Sequence, residues 1–561
     1  MKIVIVGGGA AGASCAARLR RLNEDAQITI IEKTNEISIA NCGLPYYISG
    51  VIKEREQILV STPEKFKSWF NIEVLLNTEA VKINRNAKTV TLNTGKEISY
   101  DKLVLAQGAS PIVPPFEGLD KSKTFVVRNL SDSNKIKYYI KENNSKKAVV
   151  VGGGFIGIEI AENLVKMGLD TTLVELGNQV LAPVDEEIAA VVQNEMRDNG
   201  VNLILSDGVK SFNNNRIILN SNKEIEFDIV IMAIGVKAEI TLSKSAGLEV
   251  NRGILVNEYM QTTDPDIYAA GDSVEIKDFV TGENTLIPLA GPANRQGRII
   301  ADNICGYKSI YKNSLGASVI KIFNLTVANV GNNEKQLKQK NISYCKTFVY
   351  GKSHAGYYPN ATQTLYKLLF SNDGKILGAQ AVGQEGVEKR IDVISTVMRN
   401  NGTVQELVDS ELCYAPPYNS AKDGGINIIG MSADNILKGF VKPAFFEDLK
   451  DSYLIDVRTD IAYKTKTIDG AINIPINEIR SRINEIPKDK KVILFCNTGY
   501  TSYNASRILI QKGFNNVYSL MGGIVLYNEI IKNIFSGRFN SSFFSRANWR
   551  AKVYSLKEYF L

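Results

Sequence analysis

The 561-residue sequence contains a single histidine, His354, and only six cysteines. One histidine cannot supply the imidazole ligands of a His-based metal centre, and it nearly excludes a Ser-His-Asp triad. The cysteines stand at positions 15, 42, 305, 345, 413 and 496 and form neither a CxxC nor a CxxxxC pair. This spacing predicts no disulfide framework and no metal site, and it favours a reducing, cytoplasmic compartment.

Long apolar runs and concentrated charge are also missing. No stretch approaches the roughly 20 apolar residues of a membrane-spanning helix. The net charge of +7 is mild at this length, and the basic residues are scattered, so neither a membrane nor a nucleic acid is an expected partner. The length and the hydrophobic share of 44% predict a globular chain of about three to five domains.

One local pattern, a β-branched run followed by GxGxxG and a helix, occurs twice, at 2–22 and 148–167. Each copy is followed by a short strand that ends in an acid. The glycines permit a tight turn, close approach of a pyrophosphate and close helix–strand packing, and the helix N-terminus attracts phosphates. Two dinucleotide sites are predicted, in which the acid accepts hydrogen bonds from ribose hydroxyls. The candidate residues are Gly7, Gly8, Gly9, Ala11, Gly12, Glu32 and Lys33 in the first site and Gly152, Gly154, Gly157 and Glu175 in the second.

A third segment, 262–272, is a short strand that ends in Gly-Asp. With it, residues 1–440 resemble the two-dinucleotide flavoprotein disulfide reductases. In that family the segment returns to the FAD domain, and its last acid, here Asp272, holds the ribityl chain of the flavin. The resemblance implies that FAD occupies the first site and the nicotinamide cofactor the second, with Gly108 and Gly235 in the two crossovers between the domains.

Glu175 bears on which nicotinamide cofactor is bound. Its carboxylate suits a free ribose 2′-hydroxyl and repels a 2′-phosphate, and residues 176–178 include no Arg or Lys. The sequence therefore favours NADH, with NADPH left open.

Cys42 follows the first acid by a few residues, in the segment 38–47. Glutathione-reductase-type members have a CxxxxC pair here, whereas this chain has one cysteine. Its oxidised form must involve oxygen, a small thiol or sulfane sulfur. A thiolate near a helix N-terminus and beside an oxidised flavin is expected to have a lowered pKa.

The Cys42 motif, with Gly-Leu-Pro-Tyr-Tyr after the cysteine, resembles coenzyme A disulfide reductases and their rhodanese-fused relatives. The resemblance implies that Cys42 forms a mixed disulfide with coenzyme A and then receives electrons from the flavin. NADH oxidases and peroxidases, which cycle one cysteine through sulfenic acid, have a histidine in the first glycine loop, where this chain has none. By position, the resemblance implies substrate contacts by Ser14, Arg18, Arg21, Ser38, Asn41, Asn294 and Lys422.

Residues 326–440 resemble the dimerisation domain of the same family, which implies a homodimer. Tyr357 and Tyr414 match tyrosines that reach the partner subunit's active cysteine. A phenol there can donate a hydrogen bond to a leaving thiolate or protonate it. Phe70 departs from the family, because some members have a basic residue at this position, and this weakens the expected contact with the coenzyme A phosphates.

A new α/β pattern opens at 454–458 and leads to Cys496 at a strand end, over about 90 residues that resemble a rhodanese domain. A cysteine in a loop that opens a helix is surrounded by backbone N–H donors, which stabilise a thiolate or the terminal sulfur of a persulfide. Many rhodaneses have an Arg in this loop, where this chain has Tyr500 or Thr501, and Thr467-Ile468 replaces the usual Gly-His. A persulfide donor is therefore expected rather than thiosulfate.

The predicted fold is α/β, with two Rossmann-like domains for FAD and NAD(P), an α+β dimerisation domain and a C-terminal α/β rhodanese domain. The expected function is reduction of coenzyme A disulfide, coenzyme A persulfide or polysulfide through Cys42, with Cys496 delivering sulfane sulfur. The alternatives are an NADH oxidase or peroxidase and a non-catalytic redox or sulfur sensor. The predicted boundaries are 1–117 with 245–325 for FAD, 118–244 for NAD(P), 326–440 for dimerisation, 441–535 for rhodanese and 536–561 for an unassigned tail.

Overall fold

The first of two parallel sheets is built around the strand of the first glycine pattern. The structure, a computed structural model, describes residues 1–538, so all but the first three residues of the predicted tail lie outside it. The segment predicted to return after the second pattern does so, because strand Ile267–Ala269 pairs with Lys102–Leu105. The parallel strand order is Ile267–Ala269, Lys102–Leu105, Lys2–Val6, Gln27–Ile31 and Glu73–Leu75.

Helices cover this sheet and carry the segments that surround Cys42. Helix Ala10–Leu22 begins directly after the first glycine loop. Thr62 caps helix Pro63–Phe70 by accepting a hydrogen bond from the Lys65 N–H, and the proline at the first helical position has no N–H to satisfy. The other helices are Leu44–Ile48, Thr241–Ser245 and Ala290–Ile304, with 3-10 turns at Asn41–Gly43, Arg55–Gln57 and Gly271–Ser273. Two small sheets comprise Ala80–Asn84, Thr89–Leu92 and Glu97–Ser99, and Ile254–Leu255, Val274–Lys277 and Asn284–Thr285.

The second glycine pattern starts an equivalent parallel sheet, so the predicted pair of Rossmann-like domains is confirmed. Its strand order is Asn202–Ile204, Asp170–Val174, Lys147–Val151, Ile229–Met232 and Thr124–Phe125. The two crossover segments also meet, because Ala109–Pro111 and Val236–Ala238 pair antiparallel. The helices of this domain are Leu130–Glu142, Phe155–Lys166 and Glu186–Asp198, and a small antiparallel sheet comprises Val209–Asn213, Arg216–Leu219 and Glu224–Glu226.

A third domain combines an antiparallel sheet with helices, as predicted for the dimerisation domain. Two of its central strands are buried along almost their whole length, because helices cover one face and the parallel-sheet domain packs on the other. The strand order is Ser318–Ile322, Leu325–Gly331, Ile376–Gly383, Gln363–Phe370 and Cys345–Lys352. The helices are Glu334–Gln339, Val387–Arg399, Val404–Asp409 and Ile429–Leu437, the last preceded by the π turn Gly424–Ile428.

The C-terminal domain is a five-stranded parallel sheet, which confirms the predicted α/β class. Its strand order is Pro443–Ala444, Val517–Leu520, Val492–Phe495, Tyr453–Asp456 and Ile472–Asn473. Its helices are Asp460–Thr465, Tyr500–Gln511 and Gly523–Arg538, with 3-10 turns at Phe446–Asp448 and Ile483–Glu485.

The C-terminal domain is docked on the second and third domains. Asn194 donates a 2.9 Å hydrogen bond to the Glu529 carbonyl, and Lys346 forms a 3.2 Å ion pair with Glu447. Met521 and Leu526 belong to the apolar core that also contains residues of the second parallel sheet and of the antiparallel sheet. Apolar packing therefore holds the C-terminal domain in place together with a hydrogen bond and an ion pair. No helix within residues 1–538 combines the length and the apolar composition that crossing a bilayer requires.

Candidate active site

The first glycine loop is closed on two sides and open on the third. Gly7 has φ +103°, and a Cβ there would lie 2.2 Å from the Ala106 carbonyl oxygen. A Cβ on Gly12 would lie 1.9 Å from the Gly7 oxygen. At Gly9, by contrast, no protein atom lies within 4 Å of a built Cβ, and helix Ala10–Leu22 starts there. This open cradle at a helix N-terminus fits the pyrophosphate of a dinucleotide.

The second glycine loop repeats this geometry. Gly152 has φ +110°, and its built Cβ would lie 2.4 Å from the Ala233 oxygen. A Cβ on Gly157 would lie 1.9 Å from the Gly152 oxygen, whereas nothing lies within 4 Å of one on Gly154. The chain therefore has two dinucleotide cradles, and in each the first and last glycines allow close backbone contact while the glycine between them leaves open space.

Each predicted acid lies beside its own cradle. Glu32 accepts hydrogen bonds from the backbone N–H groups of Gly8 at 2.8 Å and Thr34 at 2.9 Å. Glu175 accepts two hydrogen bonds of 2.6 Å, from the N–H groups of Gly153 and Gly177. These bonds hold both carboxylates at the loops, while the neighbouring Lys33 is exposed.

The crossover and the returning segment meet at Asp272, which lies 3.8 Å from the guanidinium of Arg128. Burial raises the pKa of this carboxyl, and Arg128 opposes the shift. Gly108 has φ +72°, and a Cβ there would lie 2.7 Å from the same guanidinium, so the glycine leaves room for Arg128. Gly235, at φ +126°, accepts a 3.0 Å hydrogen bond from the Ile112 N–H in the paired crossover. Nothing in the sequence indicates that Arg128 lies at this site, because the residue belongs to no motif.

Cys42 is an exposed free thiol in the 3-10 turn Asn41–Gly43, directly before helix Leu44–Ile48. The surrounding protein still partly desolvates its sulfur. This desolvation, followed by the carboxylates of Glu159 and Asp272, raises the pKa of the thiol above its ordinary value. The sequence-based prediction of a lowered pKa concerns the thiol beside a bound, oxidised flavin, and it stays a prediction.

A cavity of about 400 Å³ begins next to the Cys42 segment. Ser38 lines this cavity and has φ +55°, an uncommon conformation for a residue other than glycine, and it lies four residues before Cys42. Ser14 donates a hydrogen bond to the Asn294 side chain, and Arg18 forms a 2.8 Å ion pair with Asp302. The predicted substrate residues that line the cavity are Ser14, Arg18, Arg21, Ser38 and Asn294, whereas Asn41 and Lys422 are not among its lining residues.

The same cavity contains further basic and aromatic side chains, of which only Phe70 was considered in the sequence-based prediction. Phe70 lines it, as an apolar residue should, and packs 5.9 Å from Phe66, ring to ring. Lys65 and Arg298 lie in the lining as well. Trp69 is 70% exposed, and the Lys65 ammonium lies 4.3 Å from the centre of its ring. The positive charge that Phe70 lacks is thus supplied from the preceding helical turn and from helix Ala290–Ile304.

The two predicted tyrosines lie together in the third domain. The hydroxyl oxygens of Tyr357 and Tyr414 are 2.5 Å apart, and both side chains are exposed. This hydrogen bond raises the pKa of Tyr357. Lys422 is also exposed and directly precedes the buried Asp423, which pairs with Arg390 at 2.9 Å.

Cys496 closes strand Val492–Phe495 in the C-terminal domain and is 3% exposed. The Gly499 N–H donates to its sulfur at 3.2 Å, and helix Tyr500–Gln511 begins one residue later. Gly499 has φ +110°, a conformation that only glycine adopts without strain, so the loop can wrap around the sulfur. One backbone N–H donor of the predicted cradle thus reaches the sulfur. Within residues 1–538, no three His, Cys, Asp or Glu side chains form a metal-binding group.

Comparison with known proteins assigns three regions of the chain. Residues 1–297 match the pyridine nucleotide-disulphide oxidoreductase family, and residues 317–423 match the dimerisation domain of that family. Residues 443–529 match the rhodanese-like domain.

Two curated relatives cover most of the chain. An NADH oxidase of Methanocaldococcus jannaschii is 37% identical over 447 residues, which is 78% of this chain and 99% of the relative. A coenzyme A disulfide reductase of Staphylococcus haemolyticus is 36% identical over 444 residues, 78% of this chain and 100% of the relative.

Two solved structures also include the C-terminal region. The reduced CoADR-RHD of Bacillus anthracis is 48% identical and covers 95% of this chain and 98% of its own, with a TM-score of 0.92. An NAD-dependent persulfide reductase from A. fulgidus is 36% identical and covers 94% of this chain and 100% of its own, with a TM-score of 0.89. The resemblance drawn from the glycine loops is confirmed, and the chain belongs to the pyridine nucleotide-disulphide oxidoreductase family, with a rhodanese-like domain after its dimerisation domain.

Proposed function

We propose that the chain is an NADH-dependent flavoprotein reductase of coenzyme A disulfide, coenzyme A persulfide or polysulfide. The observation that carries the proposal is the exposed free thiol of Cys42 on the segment that also supplies Ser38 to the basic cavity. A substrate anchored in this cavity by its phosphates would have its sulfur end near Cys42. The solved structures that cover more than nine tenths of this chain include a persulfide reductase and a CoADR-RHD protein.

The two glycine loops and the acids beside them indicate which residues would hold each cofactor. Gly7, Gly9, Gly12, Glu32 and Asp272 would hold FAD. The residues that would hold NADH are Gly152, Gly154, Gly157 and Glu175. Bound FAD supplies a two-electron step between a hydride donor and a sulfur–sulfur bond.

The chain's own contribution starts with the Cys42 thiolate. Its attack on coenzyme A disulfide forms one bond between Cys42 and a coenzyme A sulfur and breaks the substrate's sulfur–sulfur bond. The other coenzyme A half leaves as a thiolate and needs one proton. With a persulfide, the same attack on the outer sulfur releases coenzyme A and leaves a persulfide on Cys42. Arg18, Arg21, Lys65 and Arg298 hold the phosphates in place during this exchange.

We infer that the hydrogen-bonded pair of Tyr357 and Tyr414 donates the proton to the leaving thiolate. In the proposed homodimer these exposed phenols come from the partner subunit, since each is solvent-facing in its own chain. The match of residues 317–423 to a dimerisation domain supports this assembly.

Cys496 is proposed as a carrier of sulfane sulfur. The Gly499 N–H at 3.2 Å stabilises negative charge on the sulfur at this position. A persulfide on Cys496 would pass its outer sulfur to coenzyme A, and the resulting coenzyme A persulfide would then be the substrate for Cys42. The C-terminal domain would thus carry out one sulfur-transfer step through Cys496, and Cys42 would carry out the other.

An NADH oxidase is the second candidate, because the M. jannaschii relative has that name. Such an enzyme consumes oxygen with NADH and no sulfur substrate. A redox or sulfur sensor would instead show slow reduction of its flavin by NADH. The rates of oxygen uptake and of flavin reduction by NADH therefore distinguish the three candidate functions.

The test is anaerobic reduction of the flavin by one equivalent of NADH, followed by coenzyme A persulfide. Rapid reoxidation of the flavin with release of sulfide supports the proposal, and a flavin that stays reduced refutes it. Cys42→Ser is expected to abolish reoxidation. Cys413→Ser, which removes another exposed thiol, is the matched control and is expected to react like the unaltered chain.

A further inference from the structure

Glu159 is a half-buried acid on helix Phe155–Lys166, one turn after the second glycine loop. No Lys, Arg or His among residues 1–538 forms an ion pair with it. The next acid on this helix, Glu162, differs in this respect, because Lys166 and Lys321 both pair with it, the latter at 3.2 Å. A half-buried carboxylate without a basic partner is costly to keep ionised, which calls for a functional explanation.

Helix Leu44–Ile48, which follows Cys42, packs against the helix that carries Glu159. The Ser49 hydroxyl donates to the Asn163 side chain at 2.5 Å. The Tyr46 hydroxyl reaches the Glu159 carboxylate at 3.4 Å, and Tyr46 lies one turn after Cys42. Two domains thus meet at this point, and the second dinucleotide domain contributes a carboxylate to the surroundings of the thiol.

The charged groups around Cys42 leave Glu159 as its uncompensated neighbour. Asp272 also acts on the thiol, but Arg128 lies 3.8 Å from it. Burial, together with the like charge of Glu162, raises the pKa of Glu159 to about 7, while the hydrogen bond from Tyr46 opposes the shift. Glu159 in turn is the first of the two acids that raise the pKa of Cys42. The Glu159 carboxylate therefore disfavours the charge of the Cys42 thiolate, and by linkage a thiolate at Cys42 favours a protonated Glu159.

We propose that Glu159 is a positioning residue of the thiol site, held beside Cys42 through Tyr46, and that the two groups share one negative charge during the redox cycle. The inference rests on the proposed role of Cys42. When Cys42 is bonded to another sulfur it is neutral, and Glu159 carries the charge. When Cys42 is a thiolate, Glu159 takes up a proton.

The proton and electron balance is simple. Two electrons, which the pyridine nucleotide supplies in this family, break the bond between Cys42 and a substrate sulfur and leave two thiolates. One proton from solvent neutralises Glu159 when the Cys42 thiolate forms, and the hydrogen that the pyridine nucleotide delivers with the two electrons ends as the proton of the released thiol. When Cys42 attacks the next substrate sulfur and becomes neutral, Glu159 ionises and releases its proton. The site thus avoids two adjacent negative charges at each stage.

The test measures alkylation of Cys42 by iodoacetamide in the reduced holoenzyme between pH 6 and pH 10, quantified on the Cys42 peptide by mass spectrometry. In the unaltered chain the rate is expected to rise in two steps with pH, because two coupled groups titrate. Glu159→Gln is expected to give one step, with a lower midpoint and a rate at pH 7.5 that rises about threefold to tenfold. Glu159→Asp keeps the charge and is expected to preserve the two steps.

Glu97→Gln removes an exposed carboxylate from a small sheet and is the matched control, with no expected change. A single step in the unaltered chain overturns the proposal, and so does an equal response of Glu159→Gln and Glu97→Gln. The two-step profile needs no variant, so the proposal stays testable if Glu159→Gln does not fold. Alkylation requires no substrate, and its outcome is therefore independent of whether the proposed reductase activity is found.

Discussion

The hydroxyl oxygens of Tyr357 and Tyr414 lie 2.5 Å apart, although 57 residues separate them in the sequence. One phenol donates to the other, so the pair presents a single remaining O–H to an incoming group. The two stretches that carry them form a double loop, because the Ala355 N–H donates to the Pro416 carbonyl at 3.2 Å. The tyrosines therefore form one hydrogen-bonded pair on a shared loop surface.

Substitution of either tyrosine by phenylalanine removes this unit. Tyr357→Phe and Tyr414→Phe are each expected to lower kcat for coenzyme A disulfide by about tenfold to a hundredfold, the usual range for a lost proton donor. The double variant is expected to be no slower than the worse single variant. Steady-state kinetics with NADH check this, and Tyr418→Phe, also exposed, is the control. Independent, multiplying losses would contradict the shared role.

Substitutions at two glycines of the second loop are expected to have different effects, one on NADH binding and the other on the stability of the fold. Gly154→Ala adds a Cβ with no neighbour within 4 Å, so the chain is expected to fold normally but to bind NADH about tenfold or more weakly. Gly157→Ala places a Cβ 1.9 Å from the Gly152 oxygen and is expected to lower the melting temperature markedly. Thermal unfolding and NADH titration separate the two effects. Equal melting temperatures for the two variants would show that the loop does not close as described.

The glycine patterns, both acids and the strand that returns at 267–269 were predictable, because each depends on residues close together in the sequence or on a resemblance that spans many positions. The α/β class of the C-terminal domain was predictable for the same reason. The domain boundaries and the roles of the site residues stay predictions.

Contacts between distant segments were beyond reach of the sequence. Arg128 next to Asp272, and Glu159 next to Tyr46, have no local pattern and depend on how the two sheets pack. The two carboxylates that act on the Cys42 thiol are contacts of the same kind, because a helix N-terminus is visible in a sequence and a carboxylate from a distant segment is not. Lys65 and Arg298 could not be assigned to the cavity from the sequence, because neither belongs to a motif and their place in the lining depends on how two helices pack.

Cofactor choice is expected to depend on Glu175. Glu175→Ala leaves the N–H groups of Gly153 and Gly177 without their acceptor and removes the charge that repels a 2′-phosphate. The ratio of kcat/KM for NADH to that for NADPH is expected to fall about tenfold or more. Glu224→Ala removes an exposed acid from the small sheet of the same domain and is the control. An unchanged ratio would mean that other residues select the cofactor.

Cys496 is expected to matter only for sulfur delivery. Cys496→Ser should leave reduction of coenzyme A disulfide within about twofold of the unaltered chain, because Cys42 alone meets that substrate. Transfer of sulfane sulfur from a protein persulfide to coenzyme A should be lost, because serine forms no persulfide. Sulfide release from each donor measures both steps. A large loss of disulfide reduction would show that the two sulfur sites are not separable.

Cys42 is a free cysteine, and we propose that it takes its oxidised partner from outside the chain. Intact-mass and peptide mass spectrometry after addition of coenzyme A disulfide to the reduced holoenzyme test this directly. We expect one covalently bound coenzyme A per chain, on the peptide with Cys42, which NADH removes under anaerobic conditions. An adduct on another cysteine, a disulfide between Cys42 and a second cysteine of the chain, or no adduct at all would contradict it.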